Sequence, residues 1–526
     1  MNYLFRLFNK KTACPKSRFG GHIELDKIFI TKLWAFAKLR LTILLRQSLL
    51  LILLNVAALQ LSAQQKKLNV LFIIADDLNC DLGVYDHYLV KTPNIDKLAK
   101  QGMMFTNAFC NYPLCGPSRA SMMTGLYPDQ TGHYQLRDYI RQHVPDVITM
   151  SQNFMRQGYT AARVGKMYHY DNPGGIGTPG HDDSASWNER YYPRGIDKDI
   201  EDKIFSLKPG RFGATLSWLA AEGKDEEHTD GKVATQAIGL LTKYKETHTP
   251  FFLGVGFYKP HTPFVAPAKY FDLYNVNNIK VPHIDNDYFS ALPEPAVAGL
   301  QYYKEQLNLP DSLARRAIQG YYATISFLDA QVGRVLSALD SLGLRDNTII
   351  VFTSDHGYHM GEHGYYQKNT LFENSDRIPM IISYPGMGQT GKISRSIVEI
   401  IDLYPTLSDL AGLKVPEYVT GRSFKKILNN PDQRTRNNAL SQMSGGYTLR
   451  TPEYRYTRWG NGGPGMIELY DRHADPGEMK NLAKYKQYEP VIKKLDAELT
   501  KRIKEVAVPP KGLKVFKIPG SDKNVH

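Results

Sequence analysis

The chain has 526 residues, 42% of them hydrophobic and 22% charged, a globular composition that excludes a disordered or fibrous protein. Its formal charge is +13, but residues 1–64 hold ten basic residues against two acidic ones, which leaves +5 for everything that follows. A basic surplus concentrated in a leader, not on the folded part, argues against a nucleic-acid-binding protein.

In chain order, the first predicted element is an apolar run from Ser48 to Ala63, preceded by Lys38, Arg40 and Arg46. A charged segment, a short apolar stretch and a small residue at its end are the parts of a secretory signal. The run is short for a membrane span of about 20 residues. Residues 1–63 are therefore expected to be an N-terminal extension and signal peptide, cleaved near Ala63. The protein is expected to be exported, periplasmic or secreted, with no stable membrane insertion after cleavage. Export leaves Cys80, Cys110 and Cys115, too few for a disulfide framework in a domain of this size. Whether Cys80 and Cys110 pair is left open by the sequence.

Leu68–Ile74 reads as a buried strand and runs into Ala75-Asp76-Asp77. Helical patterns follow over Asn94–Gln101 and Ile148–Gln157. A second strand, Thr160–Val164, ends at Gly165-Lys166. The stretch 172–230, rich in Gly, Asp and Tyr, reads as long surface loops. A helix over Lys232–Glu246 precedes a strand over Phe251–Phe257, which ends at Tyr258-Lys259-Pro260-His261. A helix over Leu313–Leu342 precedes a strand over Thr348–Phe352, which ends at Ser354-Asp355-His356-Gly357. Another helix is read at Ile401–Ala411. Strands alternating with helices predict an α/β fold, a mostly parallel sheet sandwiched by helices. Ligand groups in such sheets collect outside the carboxyl ends of the strands, where these polar clusters lie. Past Leu428–Asp432 the pattern changes to short strands at Tyr447–Arg450, Tyr454–Trp459 and Met466–Tyr470, a turn at Asp475–Glu478 and a helix near Glu489–Val506. Residues 64–436 are read as the catalytic domain and 437–526 as a smaller C-terminal α+β subdomain with an antiparallel sheet.

The Asp76-Asp77 pair puts two like charges side by side, which is costly unless a cation joins them. Asp355, after another strand, adds a third carboxylate, and an all-oxygen set suits a hard divalent cation such as Ca²⁺. The bland alternative for Asp-Asp is a helix cap and first turn.

The segment with the most specific pattern is Cys115-Gly116-Pro117-Ser118-Arg119, followed by Thr124-Gly125. It resembles the signature of sulfatases, in which the Cys is oxidised after synthesis to formylglycine. Gly165-Lys166-Met167-Tyr168-His169, Lys259-Pro260-His261, Ser354-Asp355-His356-Gly357, Gly361-Glu362-His363-Gly364 and Lys368 follow in the order of that family. The wording of Lys259–Phe264, Phe352–Gly357 and Arg450–Thr457 is similar to the iduronate-2-sulfatase branch. The resemblance spans roughly residues 68–485. It implies an alkaline-phosphatase-like fold, one calcium ion held by Asp76, Asp77, residue 115, Asp355 and His356, and catalysis by Cys115, Arg119, Lys166, His169, His261 and Lys368. His356 departs from the Asn that many sulfatases carry there, and imidazole is a poorer Ca²⁺ ligand than an amide oxygen; the branch itself shares this His.

In the implied mechanism, formylglycine is hydrated and one hydroxyl attacks sulfur. His261 protonates the leaving oxygen, and the second hydroxyl expels sulfate with help from His169, which Lys166 holds in place. Arg119, Lys166 and Lys368 supply positive charge, and Ser118 supports the turn. His359 and His363 read as structural. Lys259 reads equally as a substrate contact or a structural residue. The implied partners are a sulfated glycan and a formylglycine-generating enzyme. The expected substrate position is the 2-O-sulfate of a uronic acid. The alternatives are a phosphodiesterase or phosphonate hydrolase of the same superfamily, or a glycan-binding protein without catalysis if Cys115 remains a thiol.

Overall fold

The computed structural model describes residues 23–62, 67–443 and 445–518. The chain divides into two compact units, with the break between residues 66 and 67. The first contains a 40-residue helix, Ile23–Ser62. The apolar run beginning at Ser48 falls inside it; the expected cleavage position, Ala63, lies outside the described residues. Among the described residues, no helix is long and apolar enough to cross a membrane.

The second unit has fifteen strands among its described residues. The central sheet is built from β1 (Asn69–Asp76), β2 (Met103–Phe109), β3 (Thr160–Gly165), β4 (Glu189–Tyr191), β7 (Phe251–Pro260), β9 (Thr348–Ser354), β10 (Arg377–Ser383) and β11 (Lys392–Glu399), in the order β11-β2-β10-β9-β1-β7-β3-β4. All neighbours are parallel except at β10, which runs antiparallel to both β2 and β9. A small three-stranded sheet joins β5 (Phe205–Ser206), β6 (Ser217–Ala221) and β8 (Phe264–Pro267). The stretch 172–230 is therefore not loop alone: it contributes β4, β5 and β6.

Alternation along β1 explains the layers. Leu71, Ile73 and Ala75 pack in one apolar cluster with Val233 and Leu240 of the Thr229–Glu246 helix and Leu328 and Val332 of the Asp311–Ser341 helix. Val70, Phe72 and Ile74 face the opposite cluster, with Met122 of the Cys115–Thr124 helix, Phe154 of the Met150–Arg156 helix and Leu407 of the Leu403–Leu410 helix. Successive side chains of a strand point to opposite faces, so a continuous apolar run must be covered on both.

A separate antiparallel sheet follows, β12 (Ala439–Met443), β13 (Gly446–Arg450), β14 (Tyr454–Trp459) and β15 (Ile467–Asp471), paired in sequence order. Leu440, Leu449, Tyr456 and Leu469 form its apolar face against Leu495 and Leu499 of the Glu489–Val506 helix. A buried charge network joins this sheet to the segment between β9 and β10. Arg455, fully buried, donates to Glu478 at 2.6 Å, Asp376 at 2.7 Å and Glu373 at 3.0 Å. Removing one partner of such a network strands the other charges away from water. Arg455→Met is expected to cost about 3–5 kcal/mol of stability, read from urea unfolding of variant and parent. A loss under 1 kcal/mol would show that the network does not hold the sheet in place.

Candidate active site

Four parallel strands, β9-β1-β7-β3, end side by side, and each delivers a polar group from its carboxyl end. β1 delivers Asp76 and Asp77, β9 delivers Asp355 and His356, β3 delivers Lys166 and β7 delivers His261. β3 and β7 must approach closely for this. A Cβ on Gly256 would meet the Lys166 carbonyl oxygen at 2.0 Å, so only glycine fits there. Asp77, in the left-handed region at φ 63°, turns the chain as β1 ends.

The Cys115–Thr124 helix places Cys115 at its first turn, 1% exposed, within the same cluster. Its Sγ lies 3.2 Å from His356 Nε2 and 3.8 Å from Asp77 Oδ1. Ser118 Oγ donates to the Asp355 carbonyl at 2.5 Å, tying the helix to the end of β9. One turn of helix separates Cys115 from Arg119, so both face the carboxylates.

Three cations and three carboxylates interlock here, all buried. Arg119 donates through Nε to Asp355 at 2.8 Å, through Nη2 to Asp76 at 3.1 Å and through Nη1 to the Lys166 carbonyl at 2.5 Å. Lys166 Nζ reaches Asp76 Oδ2 at 2.5 Å, and Lys368 Nζ reaches both oxygens of Asp77 at 2.7 and 2.6 Å. Burial alone would raise the Asp76 pKa, but Lys166, His261, Arg119 and Lys368 together hold it well below the usual carboxylate range. Asp77 goes the other way. Burial and its neighbours Asp76 and Asp355 raise it in spite of Lys368 and His356. Burial also pushes the Cys115 thiol well up, only partly relieved by Lys368 and Lys166. An unmodified thiol here stays protonated, a poor nucleophile.

Oxygens of Asp76, Asp77 and Asp355 all lie within 4.8 Å of one another. One Ca²⁺ with ligand distances of about 2.3–2.6 Å spans such a set, and the donors are the hard oxygens it prefers. The residues fit a hard divalent cation. His356 Nε2 stands 3.4 Å from Asp77 Oδ1 and 3.6 Å from Asp355 Oδ2, inside the same cluster.

His261 joins the cluster with Nε2 3.7 Å from Asp77 Oδ2, while its Nδ1 bonds to the Thr262 carbonyl at 2.6 Å. That second bond fixes the ring so that Nε2 faces the carboxylates. His169 makes its side-chain bond outside the cluster, although the charges of Lys166 and Asp76 reach it. Its Nε2 is 3.4 Å from Asp171 Oδ1, and burial pulls its pKa down to about 4. Lys166 bonds Asp76 instead of holding His169 in place. Lys259 does not face the cluster: its buried ammonium donates to the Pro263 carbonyl at 2.9 Å. His359 bonds Thr370 at 2.9 Å, and His363 stacks on Phe372 at 4.0 Å between ring centroids, both as structural residues do. Cys80, Cys110 and Cys115 are all free.

Two supporting residues, Tyr321 and Asp230, carry no signal in the sequence, and a third, Ser354, is legible there only as part of the Ser354–Gly357 segment. Tyr321, mid-helix, donates its hydroxyl to the Asp77 carbonyl at 2.8 Å and accepts from the Asn79 amide at 3.0 Å, holding the turn after β1. Asp230 accepts the amides of Tyr258 and Lys259 at 3.0 and 2.9 Å, shaping the end of β7 that carries His261. Ser354 Oγ accepts from the Leu78 amide at 3.0 Å and ties β9 to β1. Each acts through contacts between residues far apart in the chain, which no local pattern announces.

The sulfatase family model matches residues 68–413, and the model of the N-sulphoglucosamine sulphohydrolase C-terminal region matches residues 361–505. Human iduronate 2-sulfatase is 33% identical over 80% of this chain and 92% of its own length, and the mouse protein 32% identical over 81% and 92%. The Ulvan-active sulfatase of Formosa agariphila is 30% identical over 84% of this chain and 82% of its own. Among solved structures, a 2-O GAG sulfatase superposes with a TM-score of 0.64 at 24% identity, covering 87% of this chain and 96% of its own. A phosphonate monoester hydrolase from Silicibacter pomeroyi superposes at 0.70 and 20% identity, covering 86% and 99%, which speaks for the shared fold alone. The chain belongs to the sulfatase family, enzymes that hydrolyse sulfuric esters.

Proposed function

We propose that this chain is an exported sulfatase that removes the 2-O-sulfate of a uronic acid in a glycosaminoglycan-type saccharide, with Cys115 converted to formylglycine and one calcium ion bound. The observation that carries the site assignment is the buried cluster of Asp76, Asp77, Asp355, Arg119, Lys166 and Lys368 around Cys115 at the start of a helix. The family match supports the reaction class, and the 32–33% identity to iduronate 2-sulfatases supports the position of the sulfate. The apolar run in the leader supports export.

The residues divide the work as follows. Asp76, Asp77, residue 115, Asp355 and His356 would hold the calcium ion, which when bound would withdraw charge from the reacting oxygens. Formylglycine at position 115 would supply an aldehyde hydrate, one hydroxyl oxygen of which takes the sulfuryl group as the S–O bond to the sugar breaks; deprotonation of the other hydroxyl then reforms the aldehyde, breaks the C–O bond to the sulfate and releases it. Arg119, pinned by Asp76, Asp355 and the Lys166 carbonyl, orients the start of the Cys115 helix. Lys166 and Lys368 present fixed positive charge to the sulfuryl oxygens, worth most in a site closed to water. His261 gives a proton to the leaving oxygen. Burial and then Lys368 hold its pKa well down in the free protein; a sulfate anion entering beside it favours the protonated ring. His169 is assigned the later proton transfer that accompanies release of sulfate. A formylglycine-generating enzyme is the partner required for maturation.

His261→Ala is expected to lower kcat about 10²-fold or more on a sugar sulfate, whose leaving oxygen needs a proton, and far less on a nitrophenyl sulfate, whose leaving group does not. Equal losses on both would remove His261 from the acid role. The substrate position is tested by incubation with a panel of sulfated disaccharides. Release from 2-O-sulfated uronate supports the reading; release only from 6-O- or N-sulfated glucosamine refutes it.

A further inference from the structure

Beside the cluster lies a cavity of about 370 Å³ that none of the roles above uses. That volume falls in the range of small-molecule sites. Its walls come from three parts of the chain: Glu294 and Ala298 of the Glu294–Leu300 helix, Asn369 and the residues after it, and Met443, Trp459 and Glu468 of the C-terminal sheet. Asn369 follows Lys368 directly, so their Cα atoms are about 3.8 Å apart. The Asn369 amide donates to the Pro113 carbonyl at 3.3 Å. Leu114, next to Cys115, packs in one apolar cluster with Ala296, Leu371, Met443 and Trp459. The cavity and the Cys115 cluster thus share a wall.

The lining has a definite chemistry. Trp459 is held flat by its indole N–H, which donates to Glu468 at 2.7 Å, and Met443 lies near it. Glu468 accepts from the Tyr470 hydroxyl as well, at 2.7 Å. Asn369 sits in the left-handed region at φ 73°, and among the described residues its buried side-chain oxygen has no hydrogen-bond partner. Such an acceptor is costly to leave unmet. Two carboxylates, Glu294 and Glu468, line the space, and among the described residues no Lys or Arg does. The walls offer an apolar aromatic surface, one acceptor in need of a donor, Asn369, and the charge of Glu294; Glu468 already accepts from Trp459 and Tyr470, and burial pushes its pKa up to about 7.

We infer that this cavity is a specificity subsite for the sugar next to the sulfated one, and that it takes an uncharged or amine-bearing ring while disfavouring a sulfated or carboxylated one. The inference rests on the proposed action on a sulfated saccharide. An apolar sugar face would lie against Trp459 and Met443, a hydroxyl or ammonium donor would meet Asn369, and a second anion would be repelled by Glu294 at the rim.

The test uses the mature enzyme and two variants at exposed positions of the cavity rim, Ala298→Trp and Glu294→Lys. Three substrates are compared by kcat/KM: a sulfated monosaccharide, the same sugar joined to a neutral neighbour, and the same sugar joined to a neighbour carrying 6-O-sulfate. Ala298→Trp is expected to lower kcat/KM on the neutral disaccharide about tenfold and leave the monosaccharide unchanged. Glu294→Lys is expected to narrow the preference for the neutral over the sulfated neighbour about threefold. Equal changes on monosaccharide and disaccharide, or no change on either, would overturn the subsite. Absence of sulfate release from all three substrates in the parent enzyme would instead refute the proposed function, so the two failures are separable.

Discussion

Cys115→Ala is expected to lower sulfate release by at least about 10⁴-fold, because alanine has no thiol through which the side chain can be converted to the aldehyde that supplies the nucleophile. The same change should leave the fold in place. Cys115 sits in the first turn of its helix, where alanine is well tolerated, and the helix is anchored elsewhere, by Ser118 on the Asp355 carbonyl and by Arg119 on Asp76 and Asp355. Losing one buried sulfur costs on the order of 1 kcal/mol. Turnover on a sulfated disaccharide and thermal unfolding together read both quantities. A variant that unfolds with the parent and retains turnover would remove residue 115 from the chemistry.

Asp77→Asn is expected to lower kcat at least about 10³-fold with little change in shape. Asp77 is the centre of the cluster, with Lys368 on both oxygens, His356 at 3.4 Å, His261 at 3.7 Å and Cys115 at 3.8 Å. The amide keeps the volume and removes the charge. Two effects follow. The carboxylate set loses one of three negative charges, so its attraction for a divalent cation falls. Lys368 loses its ionic partner and is no longer fixed. Cation binding has its own readout, separate from activity. In the parent, Ca²⁺ at a hundred times its dissociation constant should stabilise the fold by about 2.7 kcal/mol. In Asp77→Asn the shift in unfolding at the same Ca²⁺ concentration should be small. A shift as large in the variant as in the parent would move the cation site away from Asp77.

The strands of the central sheet most legible in the sequence are those with unbroken apolar runs, while β13, β14 and β15 were legible as short strands set off by turns. β1, β7 and β9 lie in the middle of the sheet, covered on both faces, and read as continuous β-branched and aromatic stretches that run straight into their polar ends. β2, β10, β11 and β12 were not legible, for distinct reasons. β10 carries Pro379 inside it, a residue that argues against a strand; its register with β2 shifts between Ile378 and Met380, where the proline is accommodated. β11 is the edge strand, with a shift between Ser394 and Ile397 and exposed residues near its start. β2 holds two Met and no Val or Ile, so its strand preference is set by its place between β10 and β11. β12, Ala-Leu-Ser-Gln-Met, is wholly buried and shows no alternation to read.

The site was legible at a coarser level. Asp76, Asp77, Cys115, Arg119, Lys166, His261, Asp355, His356 and Lys368 are all brought together, because strand-end and helix-start groups are placed by topology. His169 is the residue whose side-chain bond lies outside the cluster, to Asp171. Spacing places a side chain on one face of a turn but does not say which partner it meets across the fold. Lys259 shows the same limit from the other side: beside His261 in sequence, its ammonium ends on the Pro263 carbonyl.

The central claim is that residue 115 acts as formylglycine and not as cysteine. The most direct measurement is the mass of the peptide ending at Arg119, taken from a preparation whose turnover on a sulfated disaccharide has been measured. Conversion replaces the CH₂SH side chain by an aldehyde, and the predicted result is that this lighter form is present in proportion to activity across preparations. A fully active preparation in which that peptide carries only the unmodified Cys115 thiol would contradict the account.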